Sequence, residues 1–315
     1  MGTVLAGSRR RAGDDACLAA ITGCRAFISV LTSVTAWASV LAFSAARAQP
    51  APANSPPGRM VEVNGALIHL LCKGSGRHTV VIEAGASTPS RIWYGVQDLI
   101  APDARVCTYD RPGYDWSPPI APDVCIDARA DMLHDLLEAS GARPPYIMVG
   151  HSYGGLIVRS FARRHPAEVE GVVLVDAVEE GVVYDPSVLA FVLKDAEGLI
   201  PQAANIRQKG EILKAQRYEA AVDETRSYLL VKPEMRRPGG FGRLGDTPLA
   251  VVQHGRPFTG DAAILERHWA EGQKRLAALS SRSVVFTSDT DHNIEIRQPT
   301  MIAEAVRQVI KMIDR

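Results

Sequence analysis

The sequence predicts an α/β fold, a mainly parallel β-sheet with helices on both faces and a helical insertion over the carboxyl ends of the strands. Three observations predict it. Short β-branched runs alternate with helical patterns, the order that builds parallel sheets. Two runs, 146–149 and 171–177, are almost continuously apolar, as in strands buried on both faces. Between the first of these and a helix pattern starting at Leu156 lies Gly150-His151-Ser152-Tyr153-Gly154, a serine between two glycines at alternate positions.

The chain has 315 residues and zero formal net charge. That length suits one large domain, or a domain carrying an insertion. No basic cluster stands out in the part that folds, so no nucleic-acid partner is expected.

The N-terminus reads as an export signal. Arg9, Arg10, Arg11 and Arg25 precede an apolar run over 26–43, and Ala46-Arg47-Ala48 offers a cleavage site. Residues 1–48 are therefore expected to leave, giving a periplasmic or secreted protein cleaved after Ala48. The apolar run is nearly long enough to span a bilayer, so an uncleaved anchor is the alternative, and only then is a membrane a partner. Ser8-Arg9-Arg10 lies too far upstream of the run to act as a twin-arginine signal. Removing 1–48 takes five of the 35 basic and two of the 35 acidic residues and leaves a net charge of −3, an ordinary soluble surface. Residues 49–59 form a flexible tail rich in proline, alanine and serine. Cys72, Cys107 and Cys125 remain, enough for one disulfide in an oxidising compartment.

The core elements follow in order. Asn64-Gly65 sits between two apolar-rich runs, a strong hairpin signal. Residues 79–83 are a β-branched strand ending at Ala84-Gly85-Ala86. A short helix over 94–100 and a strand over 104–109 lead to the loop Asp110-Arg111-Pro112-Gly113-Tyr114-Asp115. Residues 126–140 have helical apolar spacing. The serine turn and its helix follow, then the strand ending at Asp176. Residues 178–246 break the alternation, with helical patterns over 186–199, 203–216 and 218–231 and a Pro/Gly-rich piece over 233–245. Strands resume over 248–255 and 282–287, with helices over 262–279 and 300–313. The core is thus 60–177 with 247–315, and 178–246 is a cap lying where open α/β sheets bind ligands.

Strand, G-x-S-x-G, helix is the context of a nucleophile elbow. The turn is too tight for side chains at the flanking positions, and it presents Ser152 above the first turn of a helix, whose N-terminus favours negative charge. A serine hydroxyl needs a base, and the base an orienting acid. Of eight histidines, His292 lies in the loop between the last strand and the last helix. Loops at the carboxyl ends of strands open onto one crevice, so His292 can meet Ser152 from 140 residues away. Asp176 and Asp261 both fit the order serine, acid, histidine. Asp176 is preferred because it ends a strand, where geometry is fixed; Asp261 also reads as a helix N-cap. The backbone N–H of Tyr153, and that of Ala86 in the loop after the third strand, are the expected oxyanion donors.

Read together, Val-Val-Ile-Glu-Ala-Gly at 80–85, Tyr-Asp-Arg-Pro-Gly-Tyr at 109–114, Gly-His-Ser-Tyr-Gly-Gly at 150–155, the capping insertion and the late histidine resemble the α/β-hydrolase-fold serine hydrolases, over nearly all of 60–315. The resemblance implies a nucleophile at Ser152, a base at His292, oxyanion donors at Ala86 and Tyr153, no cofactor or metal, and hydrolysis of an ester or similar acyl bond of a small molecule. An amide or carbon–carbon bond hydrolase, or a ligand-binding protein without turnover, are the alternatives. Dehalogenases and epoxide hydrolases of this fold carry aspartate where Ser152 stands. Three departures matter. Ala84-Gly85 replaces a usual His-Gly; Asp115 replaces a usual glycine; and Arg256-Pro257 occupies the usual acid site after the seventh strand. The last departure favours Asp176. The resemblance also makes the second and fourth strands antiparallel neighbours, placing Cys72 within bridging range of Cys107.

Overall fold

The computed structural model describes residues 55–120 and 125–315. The expected signal segment, its cleavage site and residues 49–54 of the tail lie outside the described residues. Among the described residues, no helix is long and apolar enough to cross a membrane.

Among the described residues, eight strands form one sheet in the order β1-β2-β4-β3-β5-β6-β7-β8. Strands β1 (Arg59–Val63) and β2 (Ala66–Lys73) form the hairpin, with Asn64 and Gly65 both at positive φ, as a two-residue hairpin turn requires. β2 runs antiparallel to β4 (Arg105–Tyr109); Cys72 and Cys107 are direct partners in that register and are joined by a disulfide. From β4 onward the sheet is parallel through β3 (Thr79–Glu83), β5 (Tyr146–His151), β6 (Val169–Val175), β7 (Leu249–Gln253) and β8 (Ser283–Thr287).

Every residue of β3 and β5 is buried. Alternation sends Tyr146 and Met148 of β5 to one apolar layer and Ile147 and Val149 to the other. The first layer is closed by helices α2 (Ile126–Ala139) and α3 (Gly154–Arg164), the second by α1 (Tyr94–Ile100) and the C-terminal helix α9 (Pro299–Ile313). The sheet is therefore covered on both faces, as its apolar strands demand.

The stretch between β6 and β7 is helical: a short α4 (Glu180–Val183), then α5 (Pro186–Gln208) and α6 (Ile212–Arg226). Asp185 caps α5 by accepting from the Ser187 and Val188 amides, with Pro186 at the first helical position. The sequence suggests three helices here, but α5 runs straight through Pro201. The proline removes one amide from the helix ladder, and its orphaned carbonyl, on Glu197, belongs to an exposed residue that water can reach. The break falls instead at Gly210, whose φ of 80° ends the helix in the left-handed region. The remaining helices, α7 (Ala263–Ala277) and α8 (Ile294–Arg297), follow β7 and β8.

Candidate active site

Ser152 follows the last residue of β5 and has φ of 48°, a region that β-carbon-bearing residues rarely occupy. Its amide donates to the Val175 carbonyl and its own carbonyl accepts from Gly155 and Val178, so the strained conformer is held from both sides. The neighbouring glycines are there for close approach. A β-carbon on Gly150 would sit 2.8 Å from the Gly154 carbonyl oxygen, and one on Gly154 only 2.5 Å from the carbonyl oxygens of Glu83 and Ala84. Strand, serine and helix can turn this sharply only without those side chains.

The loop after β3 lies against the same turn. A β-carbon on Gly85 would fall 3.5 Å from the Ser152 β-carbon. Ala86 and Tyr153 therefore flank the serine from two sides. Among the described residues, neither their amides nor any side chain supplies the other a partner: the N–H groups of Ala86 and Tyr153 donate to no acceptor. Two free amides beside the half-buried Ser152 are what an anionic oxygen needs.

Asp176 immediately follows β6 and, like Ser152, has a positive φ, 42°. Strained non-glycine residues of this kind are worth attention where they cluster. Its side chain is fully buried and completely engaged. His292 donates from Nδ1 to Oδ2 at 2.6 Å, and His254 donates from Nδ1 to the same oxygen at 2.7 Å. Trp269 Nε1 and the His254 amide donate to Oδ1 at 2.9 and 3.2 Å. Burial works against ionisation, but the hydrogen bonds and charges of the two histidines outweigh it and hold the carboxyl well below the usual carboxylate range. His254 is raised above its ordinary value: burial opposes its charge, and the Asp176 bond together with the Asp176 and Glu266 charges prevails. Its Nε2 lies 3.2 Å from Glu266.

The His292 loop is fixed from below. The amides of Gly255 and Arg256, just past β7, donate to the Thr290 carbonyl at 3.2 and 3.0 Å. His151 donates from Nε2 to the His292 carbonyl at 3.1 Å, so a neighbour of the serine supports the histidine loop through its backbone. Burial, together with the nearby His292, pushes the His151 imidazole down to about 3, so it stays neutral. The His292 ring keeps an exposed edge and packs edge-on to Trp269, with ring centroids 5.5 Å apart.

The fold agrees with the comparisons with known proteins. The family described as alpha/beta hydrolase fold matches residues 78–227, which include both the β3 loop and the serine turn. Over that stretch the chain is similar to the alpha/beta hydrolase superfamily, and its fold is the alpha/beta hydrolase fold. Among relatives, C23C11.06c of Schizosaccharomyces pombe is 32% identical over 153 residues, 39% of this chain but only 29% of that protein. YqjL of Bacillus subtilis is 27% identical over 238 residues, 75% of this chain and 85% of YqjL. Among solved structures, a thermophilic esterase from Thermogutta terrifontis superposes with a TM-score of 0.59 at 18% identity, covering 81% of this chain and 98% of the esterase. At that identity the likeness shows the hydrolase fold.

In this hydrolase-fold chain the structure brings Asp176 to His292 and leaves Asp261 exposed, in a short turn before α7, with no hydrogen bond to either histidine. Arg256 and Pro257, at the site after β7, are exposed. Asp115 takes the φ of 35° that a glycine would adopt easily, which aspartate tolerates better than most residues. Its carboxylate pairs with Arg91 at 2.8 Å and with Arg217 of α6. Sequence reasoning passed over His254. The available signal was its place at the end of β7, on the same carboxyl edge as the other site residues. It also passed over Arg111 and Glu224, a buried pair at 2.6 Å. No local pattern marks a contact that spans 113 residues.

Proposed function

We propose that this chain is an exported serine hydrolase cleaving an ester or related acyl bond of a small molecule. Ser152 Oγ attacks the acyl carbon while Nε2 of His292 takes its proton. Asp176 holds Nδ1–H of His292, fixing the tautomer that leaves Nε2 free to accept, and stabilises the imidazolium that forms. The amides of Ala86 and Tyr153 bind the oxyanion of the tetrahedral intermediate. His292 then gives the proton to the leaving alcohol, and an acyl-enzyme remains on Ser152. Water, activated by His292, attacks that acyl carbon; the acid is released and the serine hydroxyl restored.

The observation that carries this reading is the 2.6 Å bond between His292 Nδ1 and Asp176 Oδ2, on the same strand edge as the strained Ser152. A serine at the elbow forms a hydrolysable acyl ester, whereas an ordinary ester intermediate on aspartate serves other chemistry of this fold. Comparison with an esterase of the same fold supports the choice of bond. A fluorophosphonate probe tests it: wild-type protein should be labelled covalently and hydrolyse p-nitrophenyl esters, and Ser152→Ala should lose both. Folded wild-type protein that takes no label would sink the proposal and favour a ligand-binding role. Export is tested separately, by N-terminal sequencing of the mature protein, which should begin at Gln49.

A further inference from the structure

The two proposed oxyanion donors lie on separate elements, Ala86 after β3 and Tyr153 after β5. Pairing of β3 with β5, Glu83 opposite Gly150, brings the two loops side by side, but both donors lie three residues beyond that pair. Both are tied to one short piece of the cap, residues 224–227 at the end of α6.

On the Ala86 side the tie is ionic. The Glu224 carboxylate is fully buried. Its Oε2 accepts from the Ser87 amide at 2.9 Å and from the Tyr114 hydroxyl at 2.9 Å, and its Oε1 accepts from Arg111 Nε at 2.6 Å. The other Arg111 nitrogens donate to the Glu83 carboxylate at 2.6 Å, the Ala84 carbonyl at 2.7 Å and the Gly85 carbonyl at 2.5 Å. Glu83, Ala84, Gly85 and Ser87 are thus all anchored by Arg111 or Glu224, and Ala86 between them keeps its amide free. Ser87 is itself strained, with φ of 60°, and its amide is what Glu224 holds.

On the Tyr153 side the tie is a hydroxyl chain. Ser227 Oγ donates to the Glu224 carbonyl at 2.5 Å. Its proton is therefore committed, and the Tyr153 hydroxyl donates to Ser227 Oγ at 2.8 Å. The Tyr153 ring also packs edge-on to Tyr228, at 5.6 Å between centroids.

We infer that Glu224 and Ser227 are positioning residues of the oxyanion hole, setting the spacing of the Ala86 and Tyr153 amides from the cap. This rests on the serine-hydrolase reading above. The hole is complete only while the cap is docked, so cap and chemistry are coupled through these two side chains. A buried ion pair is a weak device for stability alone, because its desolvation offsets most of its attraction. Orienting backbone amides is a task that apolar packing cannot perform.

The test compares wild type with Glu224→Gln, Ser227→Ala and Tyr153→Phe, the last leaving the Tyr153 amide in place. Four quantities are read: kcat and KM on a p-nitrophenyl ester, inhibition by phenylboronic acid, which forms a tetrahedral adduct on the serine, melting temperature, and hydrogen exchange of the peptide spanning 84–88. Removing one oxyanion donor costs roughly 100- to 1,000-fold in kcat; misplacing one should cost less, about 10- to 100-fold for Glu224→Gln. KM should stay within about threefold, boronate affinity should fall in step with kcat, and exchange at 84–88 should quicken. Ser227→Ala and Tyr153→Phe should follow with kcat losses of roughly 3- to 10-fold, and they carry the test if Glu224→Gln does not fold. Folded variants that keep wild-type kcat and boronate affinity overturn the inference. Failure of the serine reading looks different: wild type itself takes no fluorophosphonate and turns over no ester. Hydrogen exchange then still decides the brace, faster exchange at 84–88 in Glu224→Gln supporting it and unchanged exchange removing it.

Discussion

Two buried charged clusters flank Ser152, and they are built differently. On one side, Asp176, His254 and His292 come from the ends of β6 and β7 and the loop after β8. On the other, Glu83 and Arg111 come from the core, and Glu224 comes from the cap. The first cluster is assembled wholly by parallel strands ending at one edge, so its geometry follows from the sheet. The second spans two parts of the chain and depends on how the insertion packs. In the proposed mechanism, proton transfer falls to the fixed frame of the fold, and charge stabilisation to the part of the molecule that contacts the cap.

The largest expected effect tests the first cluster. Asp176→Asn keeps the shape of the side chain but removes the charge that fixes the tautomer of His292. The kcat on a p-nitrophenyl ester should fall by about 10,000-fold, as loss of a triad acid does. A loss under about tenfold would remove Asp176 from the relay, and Asp261→Asn would then be the variant to measure.

The next tests the second cluster, with stability rather than rate as the reading. Arg111→Met leaves the Glu83 and Glu224 carboxylates buried without their cation. Urea denaturation should show a loss of about 3–5 kcal/mol. Asp176→Asn should cost distinctly less stability than Arg111→Met while costing more rate. The opposite ranking would break the division drawn between the clusters.

The smallest effect sharpens the first cluster. His254 is held above its ordinary value by Asp176 and Glu266. A raised folded-state value stabilises the protein fully below the unfolded value of about 6.5, and that contribution fades as pH rises through the folded value. His254→Gln should therefore lose about 1.5–3 kcal/mol at pH 5, the worth of a hydrogen bond to a charged group, and progressively less toward alkaline pH. A difference that grew with pH would reverse the assignment. Asp176 has the opposite sign: its depressed value supplies stability above about pH 4 that is lost as the carboxyl protonates in stronger acid.

Much of this was legible in the chain. The Asn64-Gly65 turn, the apolar strands and the serine between Gly150 and Gly154 are local signals, carried by side-chain alternation and by residues that tolerate unusual backbone. The departure at Pro201 shows the limit of local reading, because whether a proline breaks a helix depends on whether water can reach the freed carbonyl. The pairing of Cys72 with Cys107 came only through resemblance, and the register of β2 on β4 supplies its geometry.

By itself the sequence determined the order of the core strands and helices, the strained serine at the end of β5, and a short set of histidines and aspartates on one sheet edge, because each follows from periodicity or from the steric demands of single residues. Only the tertiary structure decided that Asp176 rather than Asp261 meets His292, that His254 shares the same carboxylate oxygen, and that Glu224 reaches back to Ser87. Those contacts join residues 78 to 137 positions apart. Their geometry is set by which strands lie side by side and where the cap packs, and no short stretch of sequence carries that information.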